Sequence, residues 1–579
     1  MPSISDLSKY CFFGFGFLFP LLFLFSNPLL VKVALIIFII LIFKLQVIEA
    51  FKTKEYSILK NLFIVFLFVS FLSTIFSKSM SLSFIESADS FFFLFSLFLL
   101  SMFSSNIFKR KEDVRMFISC LCFGLVLASI IIISSFVVKK YYTLIEPLIS
   151  LIAIGLGISL YNAFFKKRKA EIVTALIFSF VFFCALFVIG FKTAWFIASL
   201  FAFFVFWKKA REYDFSFFKR KVILSFLLFI TLFVIFVSPN LIPGAIVFSE
   251  PLSTQDSLNI ASKSILSDVK NFVFGSGPGT FKYQYALYYD KALTSLIVEQ
   301  SPSGFVTILS EFGVLGFIVL ICFFLNVLFK GVSSFLKNAS EAEDMVFLTI
   351  FAFIVLMMVG KIELLLLSFL FIFIGFSESF YGREKKIQFK ALSVIFVFFL
   401  LMSVFFFKYA IADQWRTQAY NEYKNDINNA TVKMEKAARM YESSDFCIDL
   451  SQIYLLKAAD IFNNNWDLDD SVKDQKEANN KLIKEITSQA EVIAKRATII
   501  DKYNFVAWQN LGLIYENTSF LISDNSEKAI NAFNKAIELS PKNFLAYISK
   551  ARIYEERGEK DSAQKEYNKA LEIYPDLEK

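Results

Sequence analysis

Long apolar segments alternate with short polar connections over roughly the first 409 residues of the chain. A helix needs about 20 apolar residues to cross the hydrocarbon core of a bilayer. The pattern therefore predicts an all-α fold that begins with a polytopic bundle of about 12 to 13 transmembrane helices. The predicted spans are residues 10–26, 29–48, 58–76, 84–104, 115–137, 142–164, 171–189, 191–207, 221–238, 303–329, 345–360, 363–379 and 391–408.

The pattern changes near Ala410, beyond which the chain is rich in Asn, Lys, Glu and Ala and its apolar residues recur at helical spacing. Phe533 and Pro541 recur 34 residues later as Tyr567 and Pro575. This period is typical of tetratricopeptide repeats, which are pairs of helices that stack into an α-solenoid. We therefore predict a membrane domain at 1–409 and a repeat domain at 410–579. Clear repeats are expected at about 504–541 and 543–575, with one or two degenerate units before them.

Lysine and arginine concentrate in alternate connections, for example at 109–111 and 166–169. The positive-inside rule places these connections and the N-terminus in the cytoplasm. Thirteen spans then place the repeats on the extracytoplasmic side of a bacterial inner membrane. The net charge of +8 is accordingly interpreted as a topology signal, and no nucleic-acid partner is expected.

Composition excludes several kinds of chemistry. The chain has no histidine, so it has no Ser-His-Asp triad, no histidine general base and no histidine-ligated metal. Five of its six cysteines lie in apolar runs, which gives no disulfide framework. We expect neither a metal nor a cofactor, and any catalysis depends on carboxylates, lysines, arginines, tyrosines, hydroxyls or thiols.

One predicted external connection, residues 239–302, is much longer than the others, and long loops in compact bundles are usually functional. It contains a glycine-rich turn, Gly275-Ser276-Gly277-Pro278-Gly279. Pro278 lacks a backbone donor and no strand precedes the turn, which argues against a nucleotide-phosphate cradle. A tight turn that lets the loop dock on the membrane surface is the simpler interpretation.

The turn and the span that follows it resemble a known signature. The segment from Gly275 to Phe281, followed by Ser303-Gly-Phe-Val-Thr-Ile-Leu-Ser-Glu311-Phe-Gly313-Val-Leu-Gly316, is similar to the central motif of the O-antigen ligase and polymerase family. There a loop reading GxGxGxF precedes a helix start HNxxLxxxxExGxxG. The resemblance covers about residues 10–380. It implies a GT-C-like bundle that transfers a glycan from a polyprenyl-pyrophosphate carrier to a glycan, lipid or protein acceptor on the extracytoplasmic face, without a metal.

The resemblance also implies site residues. Glu311 occupies the acidic position of the motif, and Asp256, Asp268 or Glu299 is expected to replace the family histidine, whose place is taken by Pro302. We therefore predict Glu311 and Asp256 as catalytic groups. The substrate-binding set expected from the family pattern and from the lysines of the loop is Lys192, Trp195, Lys263, Lys270, Lys282, Gly275, Gly277 and Gly279. Lys192 stands where the family has arginine, so the charge is kept but the bidentate fork is lost.

Other interpretations stay open at this stage. Lys192 also fits a lysine that snorkels at the membrane edge, and Glu311 fits a structural helix network. The chain as a whole also fits a catalytically silent membrane scaffold whose repeats bind cell-envelope proteins. A flippase of lipid-linked glycans is disfavoured because no inverted repeats are apparent. Membrane lipids are expected to surround the bundle and a protein partner to bind the repeats, although the repeats also fit a stack that only rigidifies the external face.

Overall fold

A computed structural model of the chain describes residues 4–25, 28–53, 55–59, 62–87, 90–137, 146–189, 192–211, 252–292, 298–337, 340–361, 363–381, 384–466, 473–519 and 524–578. The predicted span at 221–238 and residues 239–251 of the long connection lie outside these ranges.

The apolar part of the chain forms helices at the predicted segments. The first eight are α1 (Ile4–Phe25), α2 (Pro28–Thr53), α3 (Leu62–Ile75), α4 (Phe91–Ile107), α5 (Lys111–Val137), α6 (Glu146–Phe165), α7 (Lys169–Ile189) and α8 (Lys192–Arg211). After the long connection come α12 (Gly304–Leu336), α13 (Glu341–Val359), α14 (Leu364–Tyr381) and α15 (Phe389–Glu422). Within the described ranges, nine helices are long and apolar enough to cross a membrane: α2, α4 with the turn before it, α5, α6, α7 and α12 to α15.

The all-α expectation is confirmed, and two short strands are the one addition to it. Strand β1 (Glu55–Leu59) pairs antiparallel with β2 (Glu384–Gln388), in a register that places Glu55 opposite Gln388. Charged residues interrupt both segments, so neither continues the apolar helix next to it. Pairing of the two segments satisfies backbone groups that would otherwise need other partners. The predicted span at 58–76 is consequently divided between β1 and the short helix α3.

Two further predicted spans have different boundaries. The segment at 84–104 is broken into a π-helical turn, Leu82–Glu86, and helix α4. The segment at 391–408 belongs to α15, which continues through Ala410 to Glu422. The change in composition near Ala410 therefore lies inside one helix. A helix can continue through such a change because its backbone hydrogen bonds are formed within the helix itself.

Aromatic side chains and small residues together fill the apolar bundle. Phe376 lies 4.8 Å from Phe108 and 5.2 Å from Phe117, measured between ring centroids, in edge-to-face arrangements. Such pairs contribute roughly 0.5–1.5 kcal/mol each beyond the area that they bury. Close approach of α14 to α4 depends on Gly375, where a Cβ atom would lie 2.4 Å from the carbonyl oxygen of Ser101.

The C-terminal part is a stack of antiparallel helices. It comprises α16 (Ile427–Met440), α17 (Ser444–Trp466), α18 (Lys473–Ile500), α19 (Phe505–Thr518), α20 (Asn525–Leu539), α21 (Phe544–Glu556) and α22 (Lys560–Ile573). The pairs α19–α20 and α21–α22 coincide with the two predicted repeats, and α17–α18 forms a further pair before them. Gly512 lets α19 approach α20, since a Cβ there would lie 2.7 Å from the ring of Phe533.

Candidate functional site

The long connection contributes three short helices, α9 (Thr254–Ile265), α10 (Val269–Phe274) and α11 (Phe281–Tyr288). Side chains that precede the first two helices cap them. The Ser253 hydroxyl accepts from the backbone N–H of Asp256 at 3.0 Å, and the Asp268 carboxylate accepts from the N–H of Asn271 at 2.7 Å. Such caps satisfy N–H groups that have no partner within the helix. The glycine turn, residues 275–279, joins α10 to α11.

The glycine turn is hydrogen-bonded to a kink in α12. Gly313 has a φ of 68°, which interrupts the helix and frees the carbonyl groups that precede it. The backbone N–H of Ser276 donates to the carbonyl of Ser310 at 3.2 Å, and the N–H of Gly277 donates to the carbonyl of Glu311 at 3.0 Å. The glycine turn and the start of α12 therefore form one structural unit.

The glycines of this unit are required by both conformation and space. Gly275, Gly277 and Gly279 have φ values of 74°, 107° and 72°, which favour glycine. A Cβ on Gly275 would lie 2.2 Å from the Glu311 carbonyl oxygen, and one on Gly277 would lie 2.1 Å from the hydroxyl of Ser77. The turn is thus held between α12 on one side and residues 77–87 on the other.

Glu311 is fully buried beneath the turn. Its carboxylate accepts the backbone N–H of Phe281, the first residue of α11, at 3.1 Å. A carboxylate at the N-terminus of a helix is stabilised by the N–H groups that point towards it. These contacts fit the structural-network interpretation of Glu311, and its catalytic role stays a prediction.

The predicted Lys282 follows Phe281, whose N–H bonds to Glu311, but three other predicted residues lie elsewhere. Asp256 forms an exposed pair with Lys291 at 3.2 Å, and Lys263 forms one with Asp290 at 2.8 Å. Lys270 is exposed at the start of α10. These groups lie on the outer surface of the three loop helices, where solvent weakens such pairs. Lysine and aspartate are also common on solvated surfaces, so their presence in the loop does not by itself define a site.

Lys192 and Trp195 lie on a different part of the bundle. Lys192 begins α8, but its side chain is outside the described part of the structure. Trp195 is buried, with its ring 5.3 Å from that of Phe183. Helix α8 contacts α6 and α13, whereas α10 and the glycine turn contact α3 and α12. The predicted role of Lys192 in substrate binding stays untested.

Sequence reasoning selected Lys282 next to the turn but did not select Lys32 and Lys78. The Lys78 backbone N–H donates to the Ser276 carbonyl at 3.3 Å, and burial lowers the pKa of the Lys78 ammonium group. The Lys32 ammonium donates to the carbonyl of Glu86 at 3.4 Å. The Oε1 atom of Glu86 is buried and has no hydrogen-bond partner within the described part of the chain. In the sequence, Lys32 and Lys78 are indistinguishable from ordinary lysines at membrane edges.

The repeat domain covers the same region. Tyr283 donates to the carboxylate of Asp501, and the Lys282 ammonium lies 3.9 Å from a carboxylate oxygen of Asp445. The Lys78 ammonium lies 5.7 Å from the centre of the Tyr503 ring. Burial is the main cause that raises the pKa of Asp501, and the Tyr283 hydrogen bond opposes that shift. Partners so far apart in sequence leave no local signal that predicts these contacts.

An apolar contact surrounds these polar contacts. Phe505 at the start of α19 belongs to a cluster with residues of the long connection, and the cluster consists of Leu252, Ile260, Phe281, Tyr285, Ala286, Val298 and Phe505. Such contacts bury apolar surface from both parts of the chain, which favours their association. The repeat domain and the long connection therefore form one continuous structure outside the apolar bundle.

A small apolar cleft lies beside α12. Ile308 and Phe312, which flank Glu311 on α12, line its rim. The remaining walls come from α3, α4, α12, α13 and α14, and the lining residues there are Phe63, Phe66, Leu94, Leu320, Phe324, Met357, Leu367 and Phe371. The lining of the cleft is therefore apolar throughout, and two of its residues lie close to Glu311 in the sequence of α12.

Comparisons with known proteins identify the C-terminal helices. Residues 506–543 and 532–565 match family models described as tetratricopeptide repeat. The prediction of repeats is therefore confirmed, and this part of the chain is of a type that binds protein partners.

Among solved structures, the chain is similar to one titled "Crystal structure of MamA", at 20% identity over 28% of this chain and 79% of that chain, with a TM-score of 0.22. A second, "Crystal structure of MamA protein", has 24% identity over 29% of this chain and 91% of that chain, with a TM-score of 0.17. No curated protein matches the chain.

Proposed function

We propose that the protein is a membrane glycosyltransferase of the O-antigen ligase or polymerase type. It transfers a glycan from a polyprenyl-pyrophosphate carrier to an acceptor on the extracytoplasmic face. The observation that carries the proposal is the hydrogen-bonded unit formed by the glycine turn and the kinked helix α12. These are the two parts of the family signature, and every glycine of the turn is constrained by its conformation and its neighbours.

The lysines next to the turn are the proposed diphosphate contacts. In the reaction, the acceptor oxygen forms a bond to the anomeric carbon while the bond from that carbon to the phosphate oxygen breaks and the diphosphate leaves. Fixed positive charges stabilise the negative charge that develops on the leaving group. Lys78 and Lys282 supply such charges beside the turn.

Glu86 is the proposed acceptor of the proton that the acceptor hydroxyl releases. It ends the π-helical turn at Leu82–Glu86, whose Ser83 hydroxyl donates to the carbonyl of Pro278 in the glycine turn at 2.6 Å. Lys282 and Asp445 act on its carboxyl group electrostatically. A carboxylate with a buried oxygen and a nearby cation is a suitable general base in a chain without histidine.

The proposed location is the bacterial inner membrane, with the N-terminus in the cytoplasm and the repeats outside. Nine apolar helices of sufficient length within the described ranges support it. So does a set of ion pairs at the N-terminal end of α13, where Glu341 and Glu343 meet Arg115 and Lys111. These basic residues lie in connections that the positive-inside rule assigns to the cytoplasm.

The test is transfer of a lipid-linked oligosaccharide to candidate acceptors by the full chain in liposomes. Loss of a general base typically lowers the rate by about 10²- to 10⁴-fold, and we expect Glu86→Gln to fall in this range. Lys78→Ala and Lys282→Ala are expected to lose transfer, whereas Lys436→Ala, an exposed lysine on α16, is the matched control. Lys192→Ala and Glu311→Ala test the residues expected from the family. Full transfer by the Glu86, Lys78 and Lys282 variants would refute the site.

A second candidate function is a catalytically silent membrane scaffold. It is favoured by Pro302 at the family histidine position and by the repeat-domain groups that already contact Lys78 and Lys282. The two functions predict different cellular phenotypes for the same variants. A scaffold keeps its cellular phenotype with Glu86→Gln and loses it when the repeats no longer bind their partner, whereas a transferase loses the phenotype in the Glu86 variant.

A further inference from the structure

The corner between α9 and α10 carries apolar side chains that face away from the protein. Leu266 is 75% exposed and Val269 is 81% exposed, and Leu258 and Phe272 are also exposed. We refer to Leu258, Leu266, Val269 and Phe272 as the apolar corner. Single exposed apolar residues are ordinary, but a group of this kind marks a binding or membrane surface.

The apolar corner adjoins the apolar bundle through α10. Helix α10 contacts α3 and α12. Its last residue, Phe274, has its ring 5.6 Å from that of Phe76, which directly follows the end of α3. The exposed side of α3 is itself apolar and includes Phe68, Ile75 and Phe76. The apolar corner therefore extends an exposed apolar surface that begins on a bundle helix.

Helix α3 is too short to cross a bilayer by itself. Its 14 residues span about 21 Å at about 1.5 Å per residue. The hydrocarbon core is about 30 Å thick, which leaves about 9 Å of apolar depth beyond the end of α3. Helix α10 lies against this end. If α3 begins at the cytoplasmic boundary, α10 is at the depth of the outer leaflet.

We propose that the apolar corner inserts into the outer leaflet and is covered by lipid acyl chains. The inference rests on the membrane location given under Proposed function. Lipid is the occupant because the corner continues the exposed apolar surface of α3, which faces lipid in that location. Lys270 is exposed at the same corner, and a lysine at this depth extends its ammonium group to the lipid phosphates.

Insertion of the corner would fix the height of the proposed site. Phe274 directly precedes Gly275, so the glycine turn begins where the apolar corner ends. A corner anchored in the leaflet holds the turn and its neighbouring lysines at the level of lipid headgroups. That is the level at which a diphosphate on a membrane-embedded prenyl chain is presented.

Photo-crosslinking of the full chain in vesicles of phosphatidylethanolamine and phosphatidylglycerol tests the inference. The photoreactive residue p-benzoylphenylalanine replaces Leu266 or Val269, and lipid adducts are measured by mass spectrometry. Phe68 on α3 is the lipid-facing reference position, and Asn259, exposed on α9, is the polar control. For an inserted corner, we expect adduct yields at 266 and 269 similar to those at 68 and about tenfold or more above those at 259.

The outcomes separate the inference from the proposal on which it rests. Adducts at Phe68 without adducts at Leu266 and Val269 would overturn insertion of the corner and leave the membrane location intact. Absence of lipid adducts at Phe68 would overturn the membrane location itself. Crosslinks from Val269 to a second copy of the chain, or to another protein in place of lipid, would also overturn the inference.

The four crosslinking positions are all exposed, so their replacement leaves the core intact; they are Leu266, Val269, Phe68 and Asn259. Val269→Asp provides a second measurement that needs no photoreactive residue. In vesicles, it is expected to increase hydrogen exchange at the amides of α10, because a carboxylate opposes insertion of the corner, while Asn259→Asp leaves that exchange unchanged. Equal exchange in the two variants would contradict insertion.

Discussion

Substitution of one glycine tests whether the turn and α12 form a single unit. In Gly277→Ala, the new Cβ atom would lie 2.1 Å from the Ser77 hydroxyl oxygen and 2.9 Å from that of Ser83. Both contacts are with residues of the segment that precedes α4, and both are closer than atoms can approach. The turn must therefore shift away from residues 77–87, where α12 stands on its other side, or displace these serines.

The structure gives the size of the effect. Backbone at a φ of 107° costs a residue with a Cβ about 1–2 kcal/mol. Overpacking of a filled site costs a further 1–3 kcal/mol, approximately. The sum is about 2–5 kcal/mol, and each 1.4 kcal/mol changes an equilibrium about tenfold. Opening of the turn should therefore become at least about 30-fold more frequent.

Hydrogen exchange measured by mass spectrometry reports this opening directly. Peptides that cover residues 273–284 contain the amides of Ser276, Gly277 and Phe281, which are bonded to α12. Gly558→Ala is the matched control. Gly558 has a φ of 77° but no atom within 4 Å of a new Cβ, so only the conformational cost of about 1–2 kcal/mol applies there.

We expect Gly277→Ala to accelerate exchange in the turn, and we expect Gly558→Ala to affect only its own peptide. Exchange of the turn in Gly277→Ala within about threefold of the unmodified chain would refute the reasoning, because it would mean that the turn is not confined between α12 and residues 77–87.

Three other predictions concern the contacts of the turn and of the repeat domain. Tyr283→Phe removes the hydroxyl that donates to Asp501 and should weaken docking of the repeats by about 1–3 kcal/mol, seen as faster proteolysis of the 410–579 region, whereas Tyr567→Phe on α22 should have no effect. Burial raises the pKa of Asp501 above its ordinary value, so the folded chain binds this proton more tightly than the unfolded chain does. The contribution of Asp501 to folding stability is fully present below about pH 3.9 and is lost as pH rises through the raised pKa. In a plot of melting temperature against pH, Asp501→Asn should remove the decline over this pH range. Glu311→Ala should lower the free energy of unfolding by about 1–3 kcal/mol, because it leaves the N–H of Phe281 without its acceptor. Glu311→Gln keeps an oxygen for that N–H and should lower stability less. Equal losses in thermal stability would contradict a structural role of this hydrogen bond.

The amino-acid sequence by itself determined the features that depend on local pattern. Apolar runs predicted helices at nearly every described segment, because length and hydropathy alone decide whether a helix can be apolar enough to leave water. The 34-residue period predicted the tetratricopeptide repeats, since each unit repeats the small and aromatic residues that its own helix pair needs. The sequence also singled out the glycine turn and Glu311, because the resembling signature contains both, and their roles stay predictions.

Only the tertiary structure decided how these parts meet. Hydropathy did not separate β1 from α3, because a strand depends on a partner more than 300 residues away. Nor did it show that α15 crosses the change in composition at Ala410. The positions of Glu86, Lys78 and Asp501 around one turn depend on contacts between distant segments, and a single charged residue carries no record of such contacts in its own neighbourhood. The sequence shows which residues tolerate a tight turn, whereas the folded chain decides which charges surround it.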